Sequence, residues 1–199
     1  MRLLLIRHPK PDVPEGTCYG QLDVAPEREH LHQSAQRLRS RWQASGRPAP
    51  AAVFCSPLQR CALLADALAG DVWPEVRHDP RIAEVHFGDW EGRRWAELPR
   101  HEIDAWRADI ANHRPPGGES LQDLAARLRA FTEDCLPADA PPDAEVVLVT
   151  HVGVIQTLRR MLRGEPMSGF NTTPVDYASI STLVRRGGAF ELESYNVAP

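Results

Sequence analysis

What this sequence lacks narrows its function before any motif is read. It has four cysteines, Cys18, Cys55, Cys61 and Cys135, and no two form a Cys-x-x-Cys pair. That excludes the common zinc and thioredoxin-type arrangements. The scattered thiols read as small buried apolar residues in a reducing, cytoplasmic setting. No apolar run approaches the length of a membrane span, so no membrane partner is expected. The opening Met1–Ile6 is too short for an export signal, and Arg7-His8 interrupts it. The net charge is −4, so there is no global basic field for nucleic acid or anionic lipid, and any anion site must be local. No His-x-x-x-His helix or acidic metal cluster is evident, and His30 and His32 lie in a Glu/Arg-rich stretch that reads as solvent-facing. Neither a metal nor another cofactor is expected. Repeats, charge blocks and low-complexity segments are absent as well.

What is present is 199 residues, 42% of them hydrophobic, enough for one globular domain over residues 1–199 with a sizeable core. Leu3–Ile6 reads as a strand buried on both faces. Leu31, Ala35, Leu38 and Trp42 recur at helical spacing. Ala51–Cys55 is a second short strand, followed by a helix with Leu58, Ala62, Ala65 and Leu68 on one face. Residues 76–92 read as strand or loop, with weaker helices around Arg93–Leu98 and His101–Asn112. Pro115-Pro116-Gly117-Gly118 breaks the chain, and Ser120 can cap the helix striped by Leu121, Leu124, Leu128, Phe131 and Cys135. Glu145–Val149 is a third strand, and Val154, Leu158 and Met161 stripe the helix after it. Gly187-Gly188 joins two partly alternating runs as a hairpin. Strands alternating with helices predict an α/β fold, a three-layer α/β/α sandwich with a mostly parallel central sheet and an antiparallel edge near the C-terminus.

Two segments share one grammar. "LLLIRHPK" and "VVLVTHVG" each run four apolar residues into a polar residue and a histidine, His8 and His151. In open parallel sheets ligands bind beyond the carboxyl ends of the strands. A third strand end, "VFCSPLQRC", enters a helix that carries Arg60 on its first turn, where unpaired backbone N–H groups also favour anions. Two histidines with Arg7 and Arg60 suit a tetrahedral dianion. One imidazole can attack phosphorus while the other stabilises charge. In-line displacement then needs a proton donor, and "RIAEVHFGDWEG" offers Glu84, Asp89 and Glu91 without deciding among them. Taken singly, each residue has an ordinary structural role; the signal is their joint placement at strand ends.

The ordered set "LIRHP", "CSPLQR", "EVHFGDWEG", "PPGGES" and "VTHVG" resembles the histidine phosphatase superfamily, the phosphoglycerate-mutase-like group, over nearly the whole chain. The resemblance implies a metal-independent histidine acid-type phosphatase that works through a covalent phosphohistidine. It implies His8 as nucleophile, Arg7 and Arg60 as phosphate ligands, Glu84 as general acid and His151 as the second histidine, with Val152 and Gly153 offering backbone N–H groups. One departure stands out: the family usually has Arg-His-Gly, and this chain has Arg7-His8-Pro9. Proline lacks an N–H and fixes φ, but its carbonyl can accept from the His8 ring and leave the other nitrogen free to attack.

"GTCYGQLDV" is similar to the corresponding loop of the α-ribazole phosphatase branch, which implies a site role for Gln21 and close backbone approach at Gly20. Ala25–His30 departs from the Pro-Leu-Thr or Pro-Leu-Ser segment usual there. Trp90, Trp95 and Trp106 can line a pocket for an aromatic base or simply pack. The expected partner is a small-molecule phosphate ester, with the oligomeric state left open. The alternatives are a phosphoglycerate mutase-type phosphotransferase, disfavoured by the compact loops, and an inactive phospho-ligand-binding relative, favoured only by Pro9. A metal-dependent hydrolase is a further alternative, drawn from the eight histidines alone.

Overall fold

The side-chain alternation of strands decides how this chain is layered. The computed structural model describes residues 1–167 and 173–199. Its elements, in chain order, are β1 (Arg2–Arg7), α1 (Arg28–Ala44), β2 (Ala52–Cys55), α2 (Gln59–Asp66), β3 (Val76–His78), α3 (Arg100–Ala108), α4 (Leu121–Cys135), β4 (Glu145–Thr150), α5 (Val152–Leu162), β5 (Ile180–Arg186) and β6 (Ala189–Val197). In β1, Leu3 and Leu5 pack with α4 and α5, while Leu4 and Ile6 pack with α1 and α2. All four leucine and isoleucine side chains are buried. A strand apolar on both faces needs cover on both, and the two helix pairs supply it. Each such side chain contributes roughly 1.5–3 kcal/mol of burial. Truncating Leu5 to alanine costs about 2–5 kcal/mol.

The sheet order is β3-β2-β4-β1-β5-β6. β1, β2, β3 and β4 are parallel where they pair, and β5 and β6 are antiparallel. The α/β sandwich with its antiparallel C-terminal hairpin is therefore the fold the sequence predicts. Register aligns the strand ends: Arg7 lies opposite Thr150, and Cys55 opposite Val149. His8, His151 and Ser56 each follow one of three adjacent strands and emerge along one edge.

Ser120 caps α4 as expected, accepting from the Asp123 amide at 3.2 Å while Asp123 accepts from the Ser120 amide at 2.9 Å. The predicted helix over Arg93–Leu98 shrinks to one 3-10 turn at Trp95–Glu97. Its backbone is spent elsewhere: the Cys18 amide donates to the Arg93 carbonyl at 2.8 Å, and the Trp95 amide to Gly16 at 2.9 Å. The next helix runs Arg100–Ala108, shorter than predicted. Cys18, Trp90, Leu98, Ile103 and Trp106 form a separate small core beneath these loops. Cys135 is half-buried, whereas the other three thiols are buried. His30 is half-buried rather than solvent-facing, because its ring packs 6.1 Å from that of Tyr177 and its Nδ1 lies 3.1 Å from Ser34 Oγ. Among the described residues, no helix is long and apolar enough to cross a membrane.

Candidate active site

His8 is fully buried beyond the end of β1. Its Nδ1 lies 2.7 Å from the Pro9 carbonyl oxygen. A carbonyl only accepts, so Nδ1 carries the proton and Nε2 keeps a lone pair. Burial, reinforced by Arg60 and Arg7, holds the His8 pKa well below 6.5, so the ring is neutral. Proline in place of glycine thus preserves the one feature the ring uses, a carbonyl at the right place.

His151 stands at the N-terminus of α5, its ring centroid 5.1 Å from that of His8. Its Nε2 lies 2.7 Å from Ser56 Oγ and 3.5 Å from Cys61 Sγ. Burial, with Arg60 and His8 beside it, also pushes its pKa well below 6.5. Burial raises the Cys61 thiol pKa strongly, so this sulfur stays protonated.

Arg60 is wholly buried on the first turn of α2. Its Nη1 donates to the Leu22 carbonyl at 3.0 Å and its Nη2 to the Gly20 carbonyl at 2.5 Å. Arg7 donates from Nη1 to the Val175 carbonyl. At this site the buried Arg7 Nε, His8 Nε2 and Arg60 Nε have no hydrogen-bond partner among the described residues. A buried donor left unsatisfied costs roughly 1–3 kcal/mol, more when charged. Two such guanidinium donors beside an imidazole lone pair are the makings of an anion site.

Glu84 is buried, and burial raises its pKa above 4.5. Its carboxylate accepts from the Val85 amide at 2.9 Å and from the Gly153 amide at 3.2 Å. The segment that carries it is held from behind. Arg127 donates to the carbonyls of Arg81 at 2.5 Å and Glu84 at 2.8 Å, and Thr150 Oγ1 donates to Ile82 at 2.7 Å. Of the three carboxylates left open by spacing, Asp89 is exposed and Glu91 brackets two loops, accepting from the Gln21 and Phe87 amides at 2.8 Å each. Of the three, Glu84 is the one that meets α5, the helix that His151 begins.

Two expected ligand donors are turned toward Glu84 in this structure. The Gln21 amide Nε2 donates to the Glu84 carbonyl at 2.9 Å, and the Gly153 N–H meets the Glu84 carboxylate as described. The close approach expected at Gly20 is present: a Cβ there would lie 2.2 Å from Glu91 Oε1. Of the three tryptophans expected near the site, Trp90 and Trp106 pack in the small core, and Trp95 lines a cleft. That cleft, about 170 Å³, is walled by Tyr19, Glu84, Val85, Phe87, Trp95 and Val152 among others. Sequence reasoning missed Ser56, Arg127, Tyr19 and Tyr177. Ser56, directly after a strand, and Tyr19, in "GTCYGQLDV", lay inside motifs already read; Arg127 and Tyr177 act through contacts that no spacing announces.

The fold and these gathered groups define an α/β protein with two histidines, two arginines and a carboxyl drawn together at the strand ends. The family model for the histidine phosphatase superfamily (branch 1) matches residues 3–198. Glucosyl-3-phosphoglycerate phosphatase of Mycobacterium tuberculosis is 32% identical over 179 residues, covering 85% of this chain and 78% of that one. A solved structure of mycobacterial glucosyl-3-phosphoglycerate phosphatase with VO3 superposes with a TM-score of 0.83 at 30% identity, covering 98% of each chain. The α-ribazole phosphatase of Shigella flexneri superposes with a TM-score of 0.86 at 25% identity, covering 100% of this chain and 97% of that one. The chain belongs to the histidine phosphatase superfamily.

Proposed function

We propose that this chain is a phosphomonoester hydrolase that passes the phosphoryl group through His8. One observation carries the reading: His8 Nε2 is buried, deprotonated and without a partner among the described residues, and the Nε donors of Arg7 and Arg60 are equally unpartnered. In the first step the Nε2 lone pair forms an N–P bond as the ester P–O bond breaks. Protonated Glu84 gives its proton to the leaving oxygen. Arg7, Arg60 and His151 stabilise the transferring group by electrostatic preorganisation. In the second step ionised Glu84 takes a proton from water, the new O–P bond forms, and the N–P bond breaks. No step requires a metal.

The leaving group belongs in the cleft that Glu84 borders, since the acid must reach the leaving oxygen. Phe87 and Trp95 give that cleft aromatic walls, with ring centroids 5.3 Å apart. No lysine or arginine is among its described lining residues. An uncharged leaving group with a flat ring suits it better than a carboxylate, which would meet Glu84 with no cation to offset it. This supports α-ribazole 5′-phosphate, the substrate of the branch whose loop Gly16–Val24 resembles, over glucosyl-3-phosphoglycerate and 3-phosphoglycerate.

The test is phosphate release from these three esters and p-nitrophenyl phosphate, with acid-quenched protein mapped for phosphohistidine. Highest kcat/KM on α-ribazole 5′-phosphate and a label on His8 is the expected result. A label elsewhere, or a fully active His8→Ala protein, overturns the mechanism. Preference for the carboxylated esters overturns the substrate assignment alone.

A further inference from the structure

The turn between Val175 and Ser179 grips β1 at the point where Arg7 and His8 emerge. The Val175 carbonyl accepts from Arg7 Nη1, the Ala178 amide donates to the His8 carbonyl at 3.2 Å, and the Arg7 amide donates to Ser179 at 3.1 Å. Between these contacts Tyr177 lays its ring over the Arg7 guanidinium, 3.9 Å from Cζ to centroid. The same ring lies 5.7 Å from His8.

This turn is built at a cost. Ala178 has φ +60° and Asn196 has φ +54°, and they are the two non-glycine residues with positive φ among those described. Both sit on this assembly. Left-handed backbone is unfavourable for alanine and only tolerated by asparagine, and such outliers gather where a function demands a fixed geometry. Asn196 lies where β6 is irregular: Ile180 pairs with Val197 but Thr182 pairs with Ser194, so β6 spends one residue more than β5. A bulge of this kind re-aims a side chain. Here the Asn196 side chain clamps Asp176, accepting from its amide at 2.6 Å and donating to its carboxylate at 2.9 Å. Asp176 is the residue before Tyr177.

We infer that Tyr177 is a positioning residue for the phosphoryl pocket, holding Arg7 flat through its ring, and that Asn196 sets Tyr177 through Asp176. The inference rests on the phosphatase reading above. Arg7 spends Nη1 on the backbone, so the direction of its remaining donors depends on the plane of the guanidinium. A ring stacked on that plane fixes it before the anion arrives, and a preorganised donor binds more tightly than a mobile one. Tyr19, a neighbour of Tyr177, faces the other arginine, its ring 5.0 Å from the Arg60 Cζ. The two arginines are thus each backed by a tyrosine, and both tyrosines line one polar cleft.

The experiment compares Tyr177→Leu, Tyr177→Phe and Asn196→Gly with the parent enzyme. Each is assayed for kcat and KM on p-nitrophenyl phosphate and for inhibition by vanadate. Asn196→Gly keeps the left-handed backbone and removes only the clamp. Loss of a partly desolvated cation–π stack corresponds to roughly a ten-fold weakening. Tyr177→Leu is expected to raise KM and the vanadate inhibition constant together by about that factor, with a smaller fall in kcat. Tyr177→Phe is expected to restore both to within about three-fold, and Asn196→Gly to shift both in the same direction as Tyr177→Leu but less. A folded Tyr177→Leu protein with parental KM and vanadate inhibition overturns the inference. So does a Phe variant as impaired as the Leu variant, or an Asn196→Gly variant with parental values. If the parent itself neither turns over esters nor binds vanadate, the phosphatase reading fails instead.

Discussion

The Gly153 amide donates to the Glu84 carboxylate at 3.2 Å, and a methyl group placed on Gly153 would lie 2.2 Å from the same carboxylate. The first turn of α5 therefore fixes the candidate acid directly, and glycine is required there for space. Gly153→Ala is expected to displace Glu84 and lower kcat by about 10²-fold, the scale of a misplaced catalytic group. KM should change far less. Steady-state kinetics on an alkyl phosphate checks this, and a parental kcat would mean that Glu84 has room to spare.

Glu84→Gln removes the proton but keeps the shape. For esters with alkoxide leaving groups the expected loss in kcat is roughly 10²–10⁴-fold, the usual contribution of a general acid. For p-nitrophenyl phosphate the first step should suffer much less, because p-nitrophenolate leaves without a proton. Burial raises the Glu84 pKa above 4.5, so the parent should lose its first step on the alkaline side as the carboxyl ionises. That limb should vanish in the variant. Equal losses on both kinds of ester would contradict the assignment.

Ser56 Oγ lies 2.7 Å from His151 Nε2. Among the described residues, Ser56→Ala leaves that buried nitrogen with only the Cys61 sulfur at 3.5 Å. An unsatisfied buried polar group costs about 1–3 kcal/mol. Thermal unfolding should show a loss of that order, and kcat/KM should fall roughly ten-fold as the ring loses its orientation. Ser56→Thr, which keeps the hydroxyl, is expected to recover most of the activity.

Stability should fall as the pH drops below about 6.5. The folded-state pKa values of His8 and His151 are both lowered, so between those values and 6.5 the unfolded chain binds protons that the native one does not. Their contribution is fully present above 6.5 and is lost on acidification. Glu84 works in the opposite sense: its raised pKa means that its contribution is lost as the pH rises above 4.5. With two histidines against one carboxyl, the histidine effect should set the sign just below 6.5. Unfolding midpoints from pH 7.5 to 5.5 test it, and His8→Asn should flatten the slope. A flat parental profile would show that the native rings protonate freely.

The parts of the site that end strands were legible in the residues. A short apolar run, a polar residue and a histidine place His8 and His151 because strand ends and register follow from burial alone. The choice of Glu84 over Asp89 and Glu91 was not legible from spacing. It depends on Arg127 and Thr150 drawing one stretch of irregular backbone inward, and such tethers carry no period. Tyr177 escaped notice for a similar reason: it reaches Arg7 only because β5 lies against β1, 168 residues separating Arg7 from Val175 where the same turn bonds it. The Arg93–Leu98 helix failed because loop-to-loop hydrogen bonds outcompeted a weak local preference.

β1 lies in the middle of the sheet, yet both of its neighbours, β4 and β5, come from the far end of the chain. During synthesis β1 emerges before both partners and waits, unpaired, for more than a hundred residues until β4 follows. Its hydrophobic edges are exposed for that interval, which makes early misassociation the hazard this topology has to survive. The same order makes the candidate site a late structure: the turn that bonds the His8 carbonyl through the Ala178 amide enters the fold only with the last hairpin.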